Sequence, residues 1–563
     1  MTAFDDVSRR AAATFLQTIV VVDNKATYDL ATSEVTPADE AAPLIEPDAF
    51  HSADASAHPT VAEGSSDDPL DAGAISSAFA KAGLVCSVLK PTAAERLEDE
   101  IVQASSRADI VVLDWHMEDS GTLATRVTLR LLELDERAGG RLRLIVIYTG
   151  RTQLSPISEE LAGAHPRFEK IPNAITLQAG NAKVIFLTKL EEGADEKEGG
   201  LAVPPERLPA RLIGEFAAFT GGLLPNATLA AIAGLRQHTH RVLARFDKDL
   251  DAPFLTHRAL LRVPGDAEQF AADLIMAELD AQVPIDRIVR DYLSAEKVKQ
   301  YLEHRMEGGL EPALMLDRNG GKLDKLDLDR ACRLVEDGIS SLEPEIPRLA
   351  SAVGQADTLT KFKDALKKEF HERLYRLADS DIAKSRTHHA RFAIRTKLKR
   401  DAASVRADDP DTIPKLRLGS LLESESRYWI CLTPYCDSTR IPTAGGRFLL
   451  AELEQNDKQP EIVLPDGDES RSVFLQKKRA NLVTYFFTPD AEGSIRATLH
   501  GADAIFESVA DLPPGAIMVR FRWLGELKAM HAVRFIQAFA ANLARVGLDE
   551  FEWHRIRQRE GDE

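Results

Sequence analysis

Cysteine, aromatic residues and long apolar runs are all scarce in this chain, and an excess of positive charge is missing altogether. Four cysteines (Cys86, Cys332, Cys431 and Cys436) in 563 residues are too few for a disulfide framework. Cys431 and Cys436 have four residues between them, and no second Cys/His pair follows at zinc-ligand spacing, so no structural zinc is expected. No apolar run reaches the ~18 to 20 residues that a membrane span requires. The opening "MTAFDDVSRRAAATF" is polar and acidic and lacks a signal-peptide core. A membrane role is therefore not expected, and the cytoplasm is the expected compartment. A formal net charge of −19 argues against a protein that coats nucleic acid through its whole surface, and it suits docking to protein partners. There is no P-loop, HExxH or GxSxG at a strand-to-helix turn. His238 and His240, two apart on a helical pattern, do not share a face and make no metal pair.

What is present reads as a multidomain globular chain: 44% of residues are hydrophobic and 28% charged, over a length that calls for about three or four domains. "QTIVVVDN" is a β-branched run ending in polar residues, the pattern of a buried strand. From 25 to about 70 the chain turns to Ala, Pro, Ser and acids without periodicity, and a disordered insertion is expected. Then helix and strand patterns alternate. "DAGAISSAFAKAG" is helical, closed by Gly83, and "LVCSVLK" is a strand. "TAAERLEDEIVQASSRA" is a helix with Thr92 as its cap, followed by the strand "DIVVLDW". The strands "RLRLIVIYTG" and "NAKVIFLTKL" follow, each behind a helix. Five nearly continuous apolar strands alternating with helices predict a doubly wound five-stranded parallel sheet covered on both faces, over residues 1–225. Helical spacing dominates 226–405, which reads as an α-helical domain. Short strand patterns separated by Gly, Pro and Asp fill 406–563, a β-barrel-like domain closed by "LGELKAMHAVRFIQAFAANLARVG", a helix ending at Gly547.

Chemistry in an open parallel sheet gathers at the carboxyl ends of the strands. Those ends are Asp23 and Asn24, Asp114, Thr149 and Lys189. In this order and context, "VVVDN", "VVLDWHM", "VIYTG" and "FLTKL" resemble the receiver domain of bacterial response regulators, over about residues 15 to 225. The resemblance implies Asp114 as phosphoacceptor, and Mg²⁺ held by Asp23, the residue at 24, Asp114 and the backbone carbonyl of His116. It further implies Lys189 on the phosphoryl oxygens and Thr149 as the hydroxyl that reports the phosphoryl group. Four departures set this chain apart: Asn24 where the family has a second acid, the insertion behind it, Leu190 in place of a proline after the lysine, and an acidic spacer before the last helix. Two readings stay open: an active phosphoacceptor, and a pseudo-receiver that keeps only the fold.

Two further stretches stand out. Residues 383–400 carry seven Lys or Arg and two His. They read either as a nucleic-acid patch or, more plainly, as a solvated helix face paired with acids of the same chain. "YWICLTPYCDSTRI" places Cys436 beside Asp437 with Arg440 near, a candidate nucleophile for an effector enzyme acting on nucleic acid. The plainer reading puts Cys431 in the core and Cys436–Asp437 in a buried turn. "LRLGSLL", "ICLTPYCDSTRI", "FRWLGELK" and "NLARVGLDEFEW" resemble an uncharacterised bacterial family that carries a response-receiver domain. That family is associated with conflict or anti-phage loci beside histidine-kinase-like or other NTPase partners. The function expected is regulatory signalling through partner docking.

Overall fold

The computed structural model describes all residues except 1, 29–69, 92–95, 118–120, 173, 190–199, 262, 318, 355–357, 457–460, 467–468, 476–480, 509–517 and 544–563. Most of the expected insertion, the cap Thr92, Leu190, most of the acidic spacer and the helix end at Gly547 lie outside the described residues. The chain forms two compact units, one of residues 1–309 with 327–343, the other of 310–326 with 344–563. The helical stretch read at 226–405 is shared between them.

The first unit opens with a helix, α1 (Ala3–Phe15), where the sequence reading saw only a polar start. Its side chains explain the difference: Phe4, Val7, Ala11, Ala12 and Phe15 recur at helical spacing and are buried, and Thr2 with Asp5 closes a capping box. The α/β layer follows as β1 (Thr18–Val22), α2 (Ala72–Lys81), β2 (Val85–Leu89), α3 (Leu97–Ser105), β3 (Ile110–Leu113) and α4 (Thr122–Arg137). It continues through β4 (Arg143–Thr149), α5 (Ser155–Ala164), β5 (Glu169–Lys170), β6 (Thr176–Ala179), β7 (Ala182–Lys189) and β8 (Ala202–Val203). The five expected strands are parallel neighbours in the order β2-β1-β3-β4-β7. The sheet is larger than five strands: β6 and β5 extend it antiparallel beyond β7, and β8 pairs parallel with the end of β7. The added strands are short and partly polar, so no apolar run announced them.

Helices α6 (Leu208–Thr220), α7 (Leu223–Arg245), α8 (Asp251–Leu260), α9 (Asp266–Ala281), α10 (Ile285–Tyr292), α11 (Ala295–Glu307) and α12 (Leu328–Asp337) complete this unit. Two cores sandwich the sheet. One gathers α1, α2, α6 and α7 on Ile19, Val21 and Val146, and the other gathers α3, α4 and α5 on Val22, Leu113 and Ile147. Alternate residues of one strand thus serve opposite faces, which is why these strands read as unbroken apolar runs. The ends of the insertion return to adjacent points, since Thr27 N–H donates to Leu70 O and Ala72 N–H to Thr27 O.

The second unit holds a hairpin of β9 (Ala313–Met315) and β10 (Leu323–Lys325), then α13 (Ile346–Ala352), α14 (Thr358–Arg373) and α15 (Ile382–Lys397). Its antiparallel sheet is built from β11 (Leu398–Asp401), β12 (Ser420–Ser424), β13 (Arg427–Cys431), β14 (Gly446–Gln455), β15 (Ile462–Asp466), β16 (Glu469–Phe474), β17 (Leu482–Phe487), β18 (Thr498–His500), β19 (Asp503–Ser508) and β20 (Val519–Leu527). No ladder among the described residues closes this sheet into a barrel, although its flanks approach where Ser508 Oγ donates to Phe486 O. The expected closing helix begins later than its apolar pattern suggested. Residues 524–527 belong to β20, and α16 (Ala529–Leu543) follows. The strand wins because Gly525 lets Leu398 and Arg400 of β11 approach so closely that a Cβ would sit 2.8 Å from Leu398 Cδ2.

Arg143 at the start of β4 is fully buried. Its guanidinium holds both oxygens of Asp135 at 2.5 and 2.6 Å and reaches the carbonyls of Ser105, Ser106 and Ala108. Removing one member of such a pair leaves the other charge buried and unmatched. Asp135→Ala is expected to cost about 3 to 5 kcal/mol in denaturant unfolding, and an unchanged midpoint would contradict this role.

Candidate functional site

Strand register brings the predicted residues together. Val22 of β1 lies opposite Leu113 of β3, so Asp23 and Asp114, each one residue further, leave the sheet side by side. Leu113 lies opposite Ile147 of β4, and Thr149 lies opposite Thr188 of β7, which places Lys189 one step above Thr149. Backbone hydrogen bonds continue the ladder past the strand ends, from Asp23 N–H to Leu89 O and from Asp114 N–H to Val22 O. Four of the five strands therefore deliver Asp23, Asn24, Asp114, Thr149 and Lys189 to one edge.

Asp23 and Asp114 are both buried. One ammonium serves the two: Lys189 Nζ lies 2.6 Å from Asp23 Oδ2 and 3.4 Å from Asp114 Oδ2. The other Asp23 oxygen accepts the Lys25 N–H at 2.8 Å. Burial raises the Asp114 carboxyl above its ordinary value, against the pull of Lys189, with the neighbouring Asp23 adding to the rise. Among the described residues Lys189 is the one cation within ion-pair distance of both carboxylates, while Lys25 and Arg151 add positive charge at longer range beside the neighbouring His116.

Asn24 supplies the finding that sequence could not. Its Nδ2 donates to the His116 carbonyl at 2.8 Å, with Met117 O at 3.5 Å, while its Oδ1 is buried with no hydrogen-bond partner. Turning the amide around would set Oδ1 against two carbonyl oxygens, so the nitrogen must face them. The carbonyl that the family resemblance assigns to Mg²⁺ is thus taken by an N–H donor. The chemistry of Mg²⁺ wants an octahedron of oxygen donors. Here one donor is capped by an amide and the two carboxylates share a lysine, so the residues as placed do not fit a divalent ion. Among the described residues no group of three or more His, Cys, Asp or Glu is arranged to hold a metal.

Thr149 is fully buried at the end of β4. Its Oγ1 accepts the Arg151 N–H at 3.4 Å, and Thr188 Oγ1 donates to Arg151 O at 3.0 Å, so the two threonines brace the turn after β4. Trp115 packs against Gly121, ahead of α4. Gly121, at φ +68°, faces its indole so closely that a Cβ would lie 2.4 Å from a ring carbon. Tyr148, whose hydroxyl donates to Val203 O at 2.7 Å, fixes β8 beside the site.

The other candidates lie in the second unit. Cys431 is buried, and burial pushes its thiol up to about 12. The Cys436–Asp437 turn, expected to be buried, is exposed, because it sits on the one-turn helix that leaves β13 for solvent. The Cys436 thiol donates to Asp437 at 3.4 Å. A carboxylate alone is too weak a base to activate a thiol near neutral pH. Arg440 has a left-handed backbone, φ 57°, at the following bend. Two of the quoted motifs, "LRLGSLL" and "FRWLGELK", meet at Glu526, a buried carboxylate held by Arg417 at 2.8 Å and by Arg400 at 3.0 Å, whereas most of "NLARVGLDEFEW" lies outside the described residues. The basic stretch forms α15 and β11. Arg386 pairs with Glu372, His388 with Asp379 and Arg400 with Glu526, all acids of the same chain.

Residues 15–194 match the family model of the response receiver domain. No curated protein and no solved structure matches the chain. The matched segment contains the whole strand-end cluster. It is a receiver-like α/β domain, and a regulatory role in signalling goes with it. No helix among the described residues is long and apolar enough to cross a membrane.

Asp114→Asn removes the buried charge that has no cation of its own and is expected to stabilise the fold by on the order of 1 kcal/mol at neutral pH. Because the folded-state value of Asp114 is raised, its favourable contribution is full below the ordinary carboxylate range and is lost as pH rises through the raised value. The gap between variant and parent should therefore widen from acid to neutral pH in urea titrations. A variant less stable than the parent at neutral pH would reverse this sign.

Proposed function

We propose that this chain is a regulatory protein whose receiver domain has kept the fold and given up metal-dependent phosphoryl acceptance, and that it acts by docking a protein partner. One observation carries the reading: the Asn24 amide sits on the His116 carbonyl while Lys189 spans Asp23 and Asp114. A carboxylate can attack a phosphoryl group only where cations offset the repulsion between the two. In this pocket Lys189 is already shared between two carboxylates. Mg²⁺ is not part of the working state, and Asp114 serves as the buried end of the ion cluster rather than as a phosphoacceptor. Thr149, engaged by the turn behind it, is a brace rather than a swinging reporter.

Partner docking follows from the receiver class, whose members work through other proteins. A histidine-kinase-like or NTPase partner, and a place in the cytoplasm of a bacterial signalling or anti-phage system, rest on the motif resemblance alone. The test is incubation of the full chain with Mg²⁺ and a small phosphodonor, read by intact mass. No adduct is expected. A phosphoryl adduct that disappears in Asp114→Ala would overturn the reading and make the domain an active receiver.

A further inference from the structure

Helix α15 packs on β15, where Ile394 joins a core with Ile462 and Val473. Its sixteen residues carry Lys384, Arg386, Arg391, Arg395 and Lys397 and no acid, in a chain whose acids outnumber its Lys and Arg by 89 to 70. Arg386 and Lys397 turn back to the chain, the one to Glu372 and the other to the Glu461 carbonyl. Lys384, His388, Arg391 and Arg395 form a separate row. They are four, three and four residues apart, and all four are exposed. At 3.6 residues per turn they fall within about 60° of one line along the helix. His388 meets Asp379, and the Asp381 carboxylate beside Lys384 is engaged in capping the helix on the Ala383 and Lys384 N–H groups. Among the described residues no acid pairs with Arg391 or Arg395. Lys528, also exposed, extends the row, since its Nζ donates to the Arg395 carbonyl at 2.8 Å. Helix α16, which starts beside it, carries no acid either.

The helix itself has no use for this row. Cations steady a helix in its last turn, and Lys384 stands in the first, where the macrodipole opposes it. The row from Lys384 to Arg395 runs for about 17 Å. Like charges in line over that length call for opposite charges in line. Phe392 decides which kind. Its side chain is 62% exposed and stands about 60° around the helix from Arg395. An acidic peptide would meet the cations and leave the ring idle. A strand of nucleic acid offers phosphates to the arginine forks and a flat base to the ring. Cations along a backbone track with an exposed aromatic among them are the two components of single-strand binding. A duplex, with its base faces stacked inside, would give the ring no partner. The acidity of the rest of the chain confines such a contact to this helix.

We propose that the solvent face of α15 binds single-stranded nucleic acid, with Lys384, Arg391, Arg395 and Lys528 along the phosphates and Phe392 under a base. The proposal is independent of whether Asp114 accepts a phosphoryl group. Fluorescence anisotropy of the full chain with labelled oligo-dT and oligo-U strands tests it, and the tighter of the two identifies the sugar. The same dT strand in a duplex and a poly-glutamate peptide serve as competitors. The variants are Phe392→Ala and the double variant Arg391→Ala, Arg395→Ala. All three side chains are exposed, so circular dichroism of both variants should match the parent. The parent is expected to bind the single strand saturably, with log K falling against log salt at a slope of about −3. The double variant should weaken binding roughly tenfold or more and flatten that slope by about 1.4. Phe392→Ala should weaken it about fivefold or more and leave the slope unchanged. Absence of binding at low salt, or a double variant that binds like the parent, would overturn the proposal. So would a duplex that competes as well as the single strand, or a poly-glutamate peptide that displaces the strand while Phe392→Ala has no effect, which would assign the row to an acidic protein.

Discussion

One ammonium between two buried carboxylates organises the functional end of this molecule. Lys189 reaches Asp23 and Asp114 only because β7 lies next to β4, β4 next to β3, and β3 next to β1. The ion cluster and the strand order are thus a single constraint. Charges with so little exposure persist only when matched. If Lys189 were lost, two like charges would face each other at the mouth of a parallel sheet. Burial beside a second carboxylate keeps the Asp114 carboxyl raised, against the pull of Lys189. It also explains the neutral residue next door: Asn24 adds no third negative charge, and its amide nitrogen satisfies a carbonyl that would otherwise face the pocket unpaired.

The sheet is built into a larger body than a five-stranded receiver. Strands β5, β6 and β8 cover the edge that β7 would otherwise expose, and α1, α7 and α10 add a further helical layer on the side of α2 and α6. Phe15 stacks on Phe216 at 5.8 Å between ring centroids, and Asn226 of α7 donates to Ser8 of α1, so that layer is continuous with the core. The face of α3, α4 and α5 carries a single helical layer. The turn after β4, braced by Thr149 and Thr188, leads directly into α5. The chemistry of the pocket therefore adjoins the less covered side of the domain.

Much of this was legible in sequence, for a physical reason. Strands buried on both faces, such as "TIVVV" and "RLIVIYT", read as unbroken apolar runs, and the residues that end such runs must sit at one edge. Asp23, Asp114, Thr149 and Lys189 were found in that way. Helix α1 was not legible, although Phe4, Val7, Ala11 and Phe15 keep helical spacing, because its acids and arginines masked the pattern. The bond from Asn24 to His116 was not legible: the type of residue at 24 warns of a weak metal site, but only geometry shows which atom its amide meets. Nor was the Arg143–Asp135 pair, whose members sit on α4 and β4 with nothing local to link them. Strand β15, "IVLPD", escaped because its apolar run is short and closes on a proline, although Ile462 and Leu464 are buried in the core. The last four residues of β20, 524–527, read as helix because they run directly into the apolar pattern of α16.

The central claim is that the strand-end pocket is complete without a divalent ion. Isothermal titration of the full chain with Mg²⁺, beside the Asn24→Asp variant, measures it directly. The parent is expected to show no saturable heat at millimolar Mg²⁺. The variant, in which a third carboxylate replaces the amide that caps the His116 carbonyl, is expected to bind. Saturable, single-site Mg²⁺ binding by the parent, abolished in Asp114→Ala, would contradict the account.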